Sequence, residues 1–346
     1  MSLFQLGEIS VSLALFSLVI MAGLIVARFF TENRRKRIRA VRARLMPLLL
    51  NPSTAVADLR SRGLSRNILA DLSVELIQLV RGEDRDEFVA AAVEGGVADT
   101  LCDRLAHGSG RVRTVAAEAL THFPGDEATR ELERALDDRS GDVRLAAALA
   151  LAESNRAPPV RELITRLGLG TSETSLVIAN LFHKIAEHDP DEIEDLLSAN
   201  DVPGSVKFAA IEALTSIRGF ALAPLVNKLV LQLPADSADL PKFLRALGSF
   251  QHPAGIPGVK RHLDSPIWWV RAAAAEAAGR IGMTDCGAQL ADMLGDPDWW
   301  VRFRAGEALV RLGESGQALL RQSSRTGKEP ERSAARLTLA EQGIAL

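Results

Sequence analysis

The sequence predicts an all-α chain: a right-handed α-solenoid of stacked helical hairpins preceded by one transmembrane helix. Three observations predict it. A pattern of Val, a basic residue, then Ala four and seven positions after the Val recurs at intervals close to 31 residues or twice that. One uncharged apolar run of 19 residues lies near the amino terminus. Length and composition add the third: 346 residues, 47% apolar and 25% charged, exclude a disordered or collagen-like chain, and a single core of that size is unusual. Several domains, or an array that grows in one dimension, accommodate the length better.

Residues 1–8 form a short extracytoplasmic tail without a basic residue. Residues 9–30 are the transmembrane helix, because ISVSLALFSLVIMAGLIVA between Glu8 and Arg28 spans about 28 Å as a helix, close to a bilayer's hydrocarbon thickness. A cleaved signal peptide wants a basic start, a shorter apolar stretch and a small-residue cleavage site, so the segment is read as a retained anchor. Residues 31–50 are a basic juxtamembrane helix carrying Arg34, Arg35, Lys36, Arg37 and Arg39, with Ile38, Val41, Leu45 and Leu48 as its apolar stripe. Basic residues accumulate on the cytoplasmic side, which places the protein in an inner membrane with its carboxy-terminal body in the cytoplasm. The basic run is a topology signal resting on headgroups, needing no specific lipid. Gly23 and Ala27 offer a close-packing pair through which two anchors can associate.

Residues 51–82 lack the repeat and are read as a helical cap, with helices over 53–62 and 65–81. Residues 83–346 are the array. RVRTVAAEAL (111–120), DVRLAAALAL (142–151), SVKFAAIEAL (205–214), WVRAAAAEAA (269–278) and WVRFRAGEAL (300–309) share one frame, with Val112, Val143, Val206, Val270 and Val301 as anchors. Degenerate copies at 174–182 and 239–247 fill the double intervals, and 84–96 and 330–343 flank the set, giving about nine units. Positions 0, 4, 7 and 8 from the Val lie on one side of a helix, and small residues there let neighbouring helices approach closely. Leu105, Leu136, Leu263 and Leu294, each seven residues before an anchor, end a preceding apolar helix. Each unit is therefore a helical hairpin that must stack on its neighbours to bury its second face.

At these residues the chain resembles the short bacterial HEAT repeat, including the variety associated with phycobilin lyases; LADMLGDPDWWVRFRAGEALVRLG (290–313) is the closest copy. The resemblance covers roughly 84–346 and implies HEAT-like hairpins acting as a protein-binding scaffold.

Candidate chemistry is sparse. The six histidines show no HxxxH, HExxH or His-Glu dipeptide, so neither a zinc helix nor the iron site of HEAT-like deoxyhypusine hydroxylases is supported. GLGLGT (168–173) lacks the phosphate-loop spacing and is read as an inter-helix turn. Cys102 and Cys286 carry no nucleophile or metal signature. No cofactor, metal or catalytic residue is assigned, and the chain is read as a non-enzyme. A bilin lyase-like activity rests on repeat similarity alone. Nucleic-acid binding is disfavoured, because residues 1–44 hold a local +6 and leave the body at -9.

Two residue sets stand out. The basic residue after each anchor (Arg113, Arg144, Lys207, Arg271 and Arg302) recurs in register, and is read as a structural ladder meeting Asp138, Asp264 or Asp296 of neighbouring turns. Glu118, Glu212, Glu276 and Glu307, six after the anchor, are read as solvated or paired flanks. All four tryptophans form adjacent pairs, Trp268/Trp269 and Trp299/Trp300, in consecutive units. With Ser265 and Asp296 as caps they fall in the first helical turn, and Trp268 and Trp299, about 160° from the buried face, are expected to be the more exposed members. A partner-binding hot spot and an aromatic staple under Arg271 or Arg302 both fit them. The expected function is a membrane-anchored cytoplasmic scaffold for a protein partner, such as a membrane-bound envelope enzyme of the polysaccharide synthase kind.

Overall fold

A computed structural model describes residues 64–344 apart from 124 and 171–175, together with scattered positions between 20 and 46. The expected tail, most of the transmembrane segment, Arg34, Arg35 and Arg37, and the helix expected over 53–62 lie outside the described residues. Among the described residues every regular element is helical. The chain divides into two compact units, Met1–Ser154 and Asn155–Leu346.

The first unit holds α1 (Leu64–Ile77), α2 (Glu83–Glu94), α3 (Val97–His107), α4 (Gly110–Leu120), α5 (Asp126–Ala135) and α6 (Gly141–Glu153). Helices α1, α3 and α5 pack side by side as one layer, with α4 and α6 packed against α3 and α5 as a second. Helix α1 ends at Ile77, earlier than the sequence periodicity predicts, where a turn closes on Leu76 and exposes Leu79. Described positions of 38–46 are helical, with Leu45 buried and Arg42 ion-paired to Glu75 of α1, while Lys36 and Arg39 are exposed.

The second unit contains α7 (Val160–Leu167), α8 (Leu176–His188), α9 (Pro190–Ser198), α10 (Gly204–Arg218), α11 (Ala223–Gln232) and α12 (Leu240–Phe250). It continues through α13 (Ile256–His262), α14 (Trp268–Ile281), α15 (Gly287–Asp292), α16 (Trp299–Arg311), α17 (Glu314–Thr326) and α18 (Glu331–Glu341). Among the first helices α9 packs on α11, α11 on α13 and α15 on α17, and the second helices α8 to α18 of even number pack in succession as a layer. The described residues of the degenerate copies at 174–182, 239–247 and 330–343 fall largely on second helices, as the exact copies do. An apolar stretch covering Gly204–Gln232 reaches membrane-spanning length and hydropathy, but it is the α10/α11 hairpin broken by a short 3-10 turn at Gly219–Leu222. Its Val206, Ala209, Leu214, Val226 and Val230 are repeat core.

The Val and Ala pattern is explained by how closely second helices cross. Val143, Val206, Val270 and Val301 are fully or almost fully buried. A Cβ placed on Gly248 of α12 meets Ala277 Cα of α14 at 2.9 Å, and one on Gly279 of α14 meets Ala308 Cα of α16 at 2.5 Å. Both contacts join position nine of one copy to position seven of the next, so Gly and Ala are required where backbones nearly touch.

Val112 departs from the pattern and is 42% exposed. It borders a groove of about 750 Å3 in the first unit, lined also by Ile38, Ile68, Val74, Leu101 and Val115. The preceding copy, α2, packs on α1 and α3, so the face that buries the anchor elsewhere is left open here.

Candidate protein-docking face

The basic column resolves into two kinds of contact. Arg113 donates from Nε and Nη2 to both carboxylate oxygens of Asp138, each at 2.8 Å, and from Nη1 to the Gly108 carbonyl at 2.9 Å. Arg271 repeats this on Asp296 at 2.8 and 2.9 Å, with Nη1 on the Ser265 carbonyl at 2.8 Å. The same Asp oxygens accept the amides of Ser140 and Asp298, so each carboxylate fixes its own turn while holding the previous hairpin. Arg113 holds the Asp138 carboxyl below its usual range, mainly through these hydrogen bonds. Arg and Asp are 25 residues apart in both pairs.

At that spacing Arg144, Lys207 and Arg302 meet Leu169, Gln232 and Gly327 in sequence, none a carboxylate. Arg144 and Arg302 bond the backbone carbonyls of Asp138 and Asp296 at 2.9 and 2.7 Å instead. Burial lowers the Lys207 pKa. Asp264, a predicted ladder acid, accepts from Gln289 Nε2 at 2.8 Å.

The tryptophans open α14 and α16. Ser265 and Asp296 do not cap these helices as the sequence predicts; their side chains bond the amides two residues on, which delays the helix start to Trp268 and Trp299. Asp298 takes the cap of α16, accepting from the Trp300 amide at 2.9 Å. All four rings are 38–49% exposed, so the expected excess exposure of Trp268 and Trp299 over their neighbours is absent. The rings within each pair meet edge-on, at 5.6 Å for Trp268/Trp269 and 4.8 Å for Trp299/Trp300. Phe303 stacks on Trp299 at 5.2 Å and carries the guanidinium of Arg304 at 5.6 Å. The arginine over a ring is thus Arg304 rather than Arg271 or Arg302, which their own turns engage.

Trp268, Trp269 and Trp300 wall a groove of about 300 Å3 whose floor is Ala272 and Glu276. Glu276, expected as a solvated or paired flank, is paired and only 3% exposed. Three arginines from three second helices converge on it. Arg280 of α14 donates to Oε1 at 2.8 Å, while Arg245 Nε of α12 and Arg304 Nε of α16 stand 3.5 and 3.6 Å from Oε2. Arg304 also pairs with Glu307 at 2.7 Å. Sequence carried a signal for this cluster: in the degenerate copy Arg245 occupies the column held elsewhere by Glu212, Glu276 and Glu307.

The groove is one stretch of a longer face. Phe208, Ile211 and Thr215 of α10 with Lys242, Arg245 and Ala246 of α12 line a cavity of about 500 Å3. Trp299 and Phe303 of α16 with Ala334 and Leu337 of α18 line one of about 130 Å3. Aromatic and arginine side chains on open second helices are the composition of binding hot spots. Elsewhere, burial pushes the Cys102 thiol up to about 11 and raises that of Cys286, so both stay protonated at neutral pH. Among the described residues no cluster of three or more His, Cys, Asp or Glu is arranged to hold a metal ion.

The HEAT-repeat family profile matches residues 98–181 and 260–340, so these two segments carry HEAT repeats. No curated protein matches it. Similar solved structures include a mutant of the karyopherin Kap121p, with TM-score 0.48 and 13% identity over 87% of this chain. The chain spans only 39% of that karyopherin's length. An engineered protein matches with TM-score 0.38 and 19% identity, covering 83% of this chain and 93% of its own. Human deoxyhypusine hydroxylase in complex with glycerol matches with TM-score 0.32 and 18% identity, covering 72% of this chain and 99% of its own.

Proposed function

We propose that this chain is a membrane-anchored cytoplasmic scaffold, not an enzyme, which docks a protein partner on the second-helix face of residues 155–346. One observation carries the reading: every tryptophan of the chain stands 38–49% exposed on that face, around a groove edged with arginines. Exposing indoles without a partner forfeits their burial energy, and interface cores are enriched in Trp and Arg. The apolar run at 9–27 and the basic run after it support anchoring in the inner membrane with the body inside. Tethering then raises the effective concentration of the face toward a partner in the same membrane, such as an envelope enzyme of the polysaccharide synthase kind. Association of two anchors through Gly23 and Ala27 is compatible with this display.

Membranes of the native cells, extracted first at alkaline pH and then with mild detergent, test it. The full chain resists alkaline extraction and brings a membrane protein with it in detergent. A variant with Trp268, Trp269, Trp299 and Trp300 all changed to Ala keeps its helical circular dichroism and loses that protein by more than about tenfold, the scale of hot-spot truncation. Equal recovery from a folded variant contradicts the docking face, and release at alkaline pH contradicts the anchor.

A further inference from the structure

We infer that the groove over Glu276 takes an acidic residue of an extended partner segment, with an apolar side chain of the same segment seated against the tryptophan pairs. This rests on the docking reading above and adds the chemistry of the ligand. The arginines of the groove are loosely engaged. Glu276 Oε2 is buried and has no hydrogen-bond donor, its two nearest guanidiniums standing at 3.5 and 3.6 Å. Arg245, whose side chain is half exposed, has only that long contact among the described residues, and Arg304 divides itself between Glu276 and Glu307. The rim of the site therefore lacks a carboxylate for Arg245 and Arg304. An extended peptide bearing Asp or Glu supplies it, its carboxylate accepting from Arg245 and Arg304. A simple anion brings no apolar group to the tryptophans, and a basic segment meets three guanidiniums against two carboxylates. On a body of formal charge -9, this cationic groove also selects where an acidic segment lands.

The chain contains no tyrosine and its four tryptophans all lie on this face, so indole emission reports on this face alone. Detergent-solubilised full chain is titrated with three twelve-residue synthetic peptides of alternating Glu-Phe, Gln-Phe and Lys-Phe, and with a twelve-residue oligothymidine. The Glu-Phe peptide gives a saturable shift, at least about tenfold tighter than Gln-Phe, weakening with added salt, and Lys-Phe gives none. Arg245→Gln, at a half-exposed side chain, costs about tenfold for Glu-Phe alone, and Glu276→Gln strengthens Glu-Phe binding by removing the facing charge. Preference for Lys-Phe, equal response to all three peptides, or no saturable response overturns the acidic assignment while tryptophan-dependent partner capture still stands. Tighter binding of oligothymidine overturns it in favour of a nucleic-acid groove. A captured partner indifferent to the tryptophans overturns both the assignment and the docking reading.

Discussion

Gly279→Val lowers the stability of the second unit by about 3 kcal/mol or more, read as a fall in the unfolding midpoint of the detergent-solubilised full chain. The reason is the crossing of α14 and α16. Even a bare Cβ at 279 lies 2.5 Å from Ala308 Cα and 2.8 Å from Ala308 Cβ. A backbone atom has no rotamer to change, so two helices must separate and open the alanine contact around them. Gly279→Ala meets the same clash and is also expected to destabilise, but less than valine, because helix propensity pulls the other way by about 1 kcal/mol for Gly to Ala. Gly110→Ala in α4 is the control: its Cβ meets nothing within 4 Å, and its effect stays within about 0.5 kcal/mol. An unchanged midpoint for Gly279→Val means the second helices do not cross at this glycine.

Arg113→Ala destabilises the first unit by about 3 kcal/mol near neutral pH. Arg113 and Asp138 are nearly buried, at 8% and 15% side-chain exposure, so removing one leaves the other charge short of water and of its partner. The variant also strips the donor from the Gly108 carbonyl. The pH dependence carries a definite sign. The Asp138 carboxyl is held below its ordinary value in the folded protein, so its stabilisation is present above the unfolded carboxylate pKa of about 4 and is lost as pH falls through the depressed folded value. The gap between wild type and Arg113→Ala therefore narrows on acidification below about pH 4, which chemical denaturation at a series of pH values measures. A gap that stays constant down to pH 2 contradicts the linkage.

Much of this architecture is legible in the sequence because each repeat solves the same packing problem. The Val frame marks the second helices, and position seven is Ala because position nine of the previous copy presses on it. The Arg column is legible too, but its partners require a second period: only Arg113 and Arg271 have an Asp 25 residues on. What escaped the sequence depends on neighbouring units. Glu276 shares its column with Glu118 and Glu212, both exposed, and is buried because Trp268, Trp269 and Trp300 roof it and arginines flank it. Val112 shares its column with four buried anchors and is exposed because α2 sits on α1 and α3. The tryptophan pairs were visible as a pair of pairs. Their equal exposure was not, because the turn side chains of Ser265 and Asp296 move the helix start.

Site-specific photocrosslinking in the native membrane tests the central claim most directly. A photoreactive phenylalanine replaces Trp269 on the second-helix face or, in a separate variant, the exposed Lys260 on the first helix α13. The account predicts a discrete crosslink to a membrane protein from position 269 and none from position 260. Equal crosslinking from both positions, or a crosslink from 260 alone, contradicts docking on the tryptophan face.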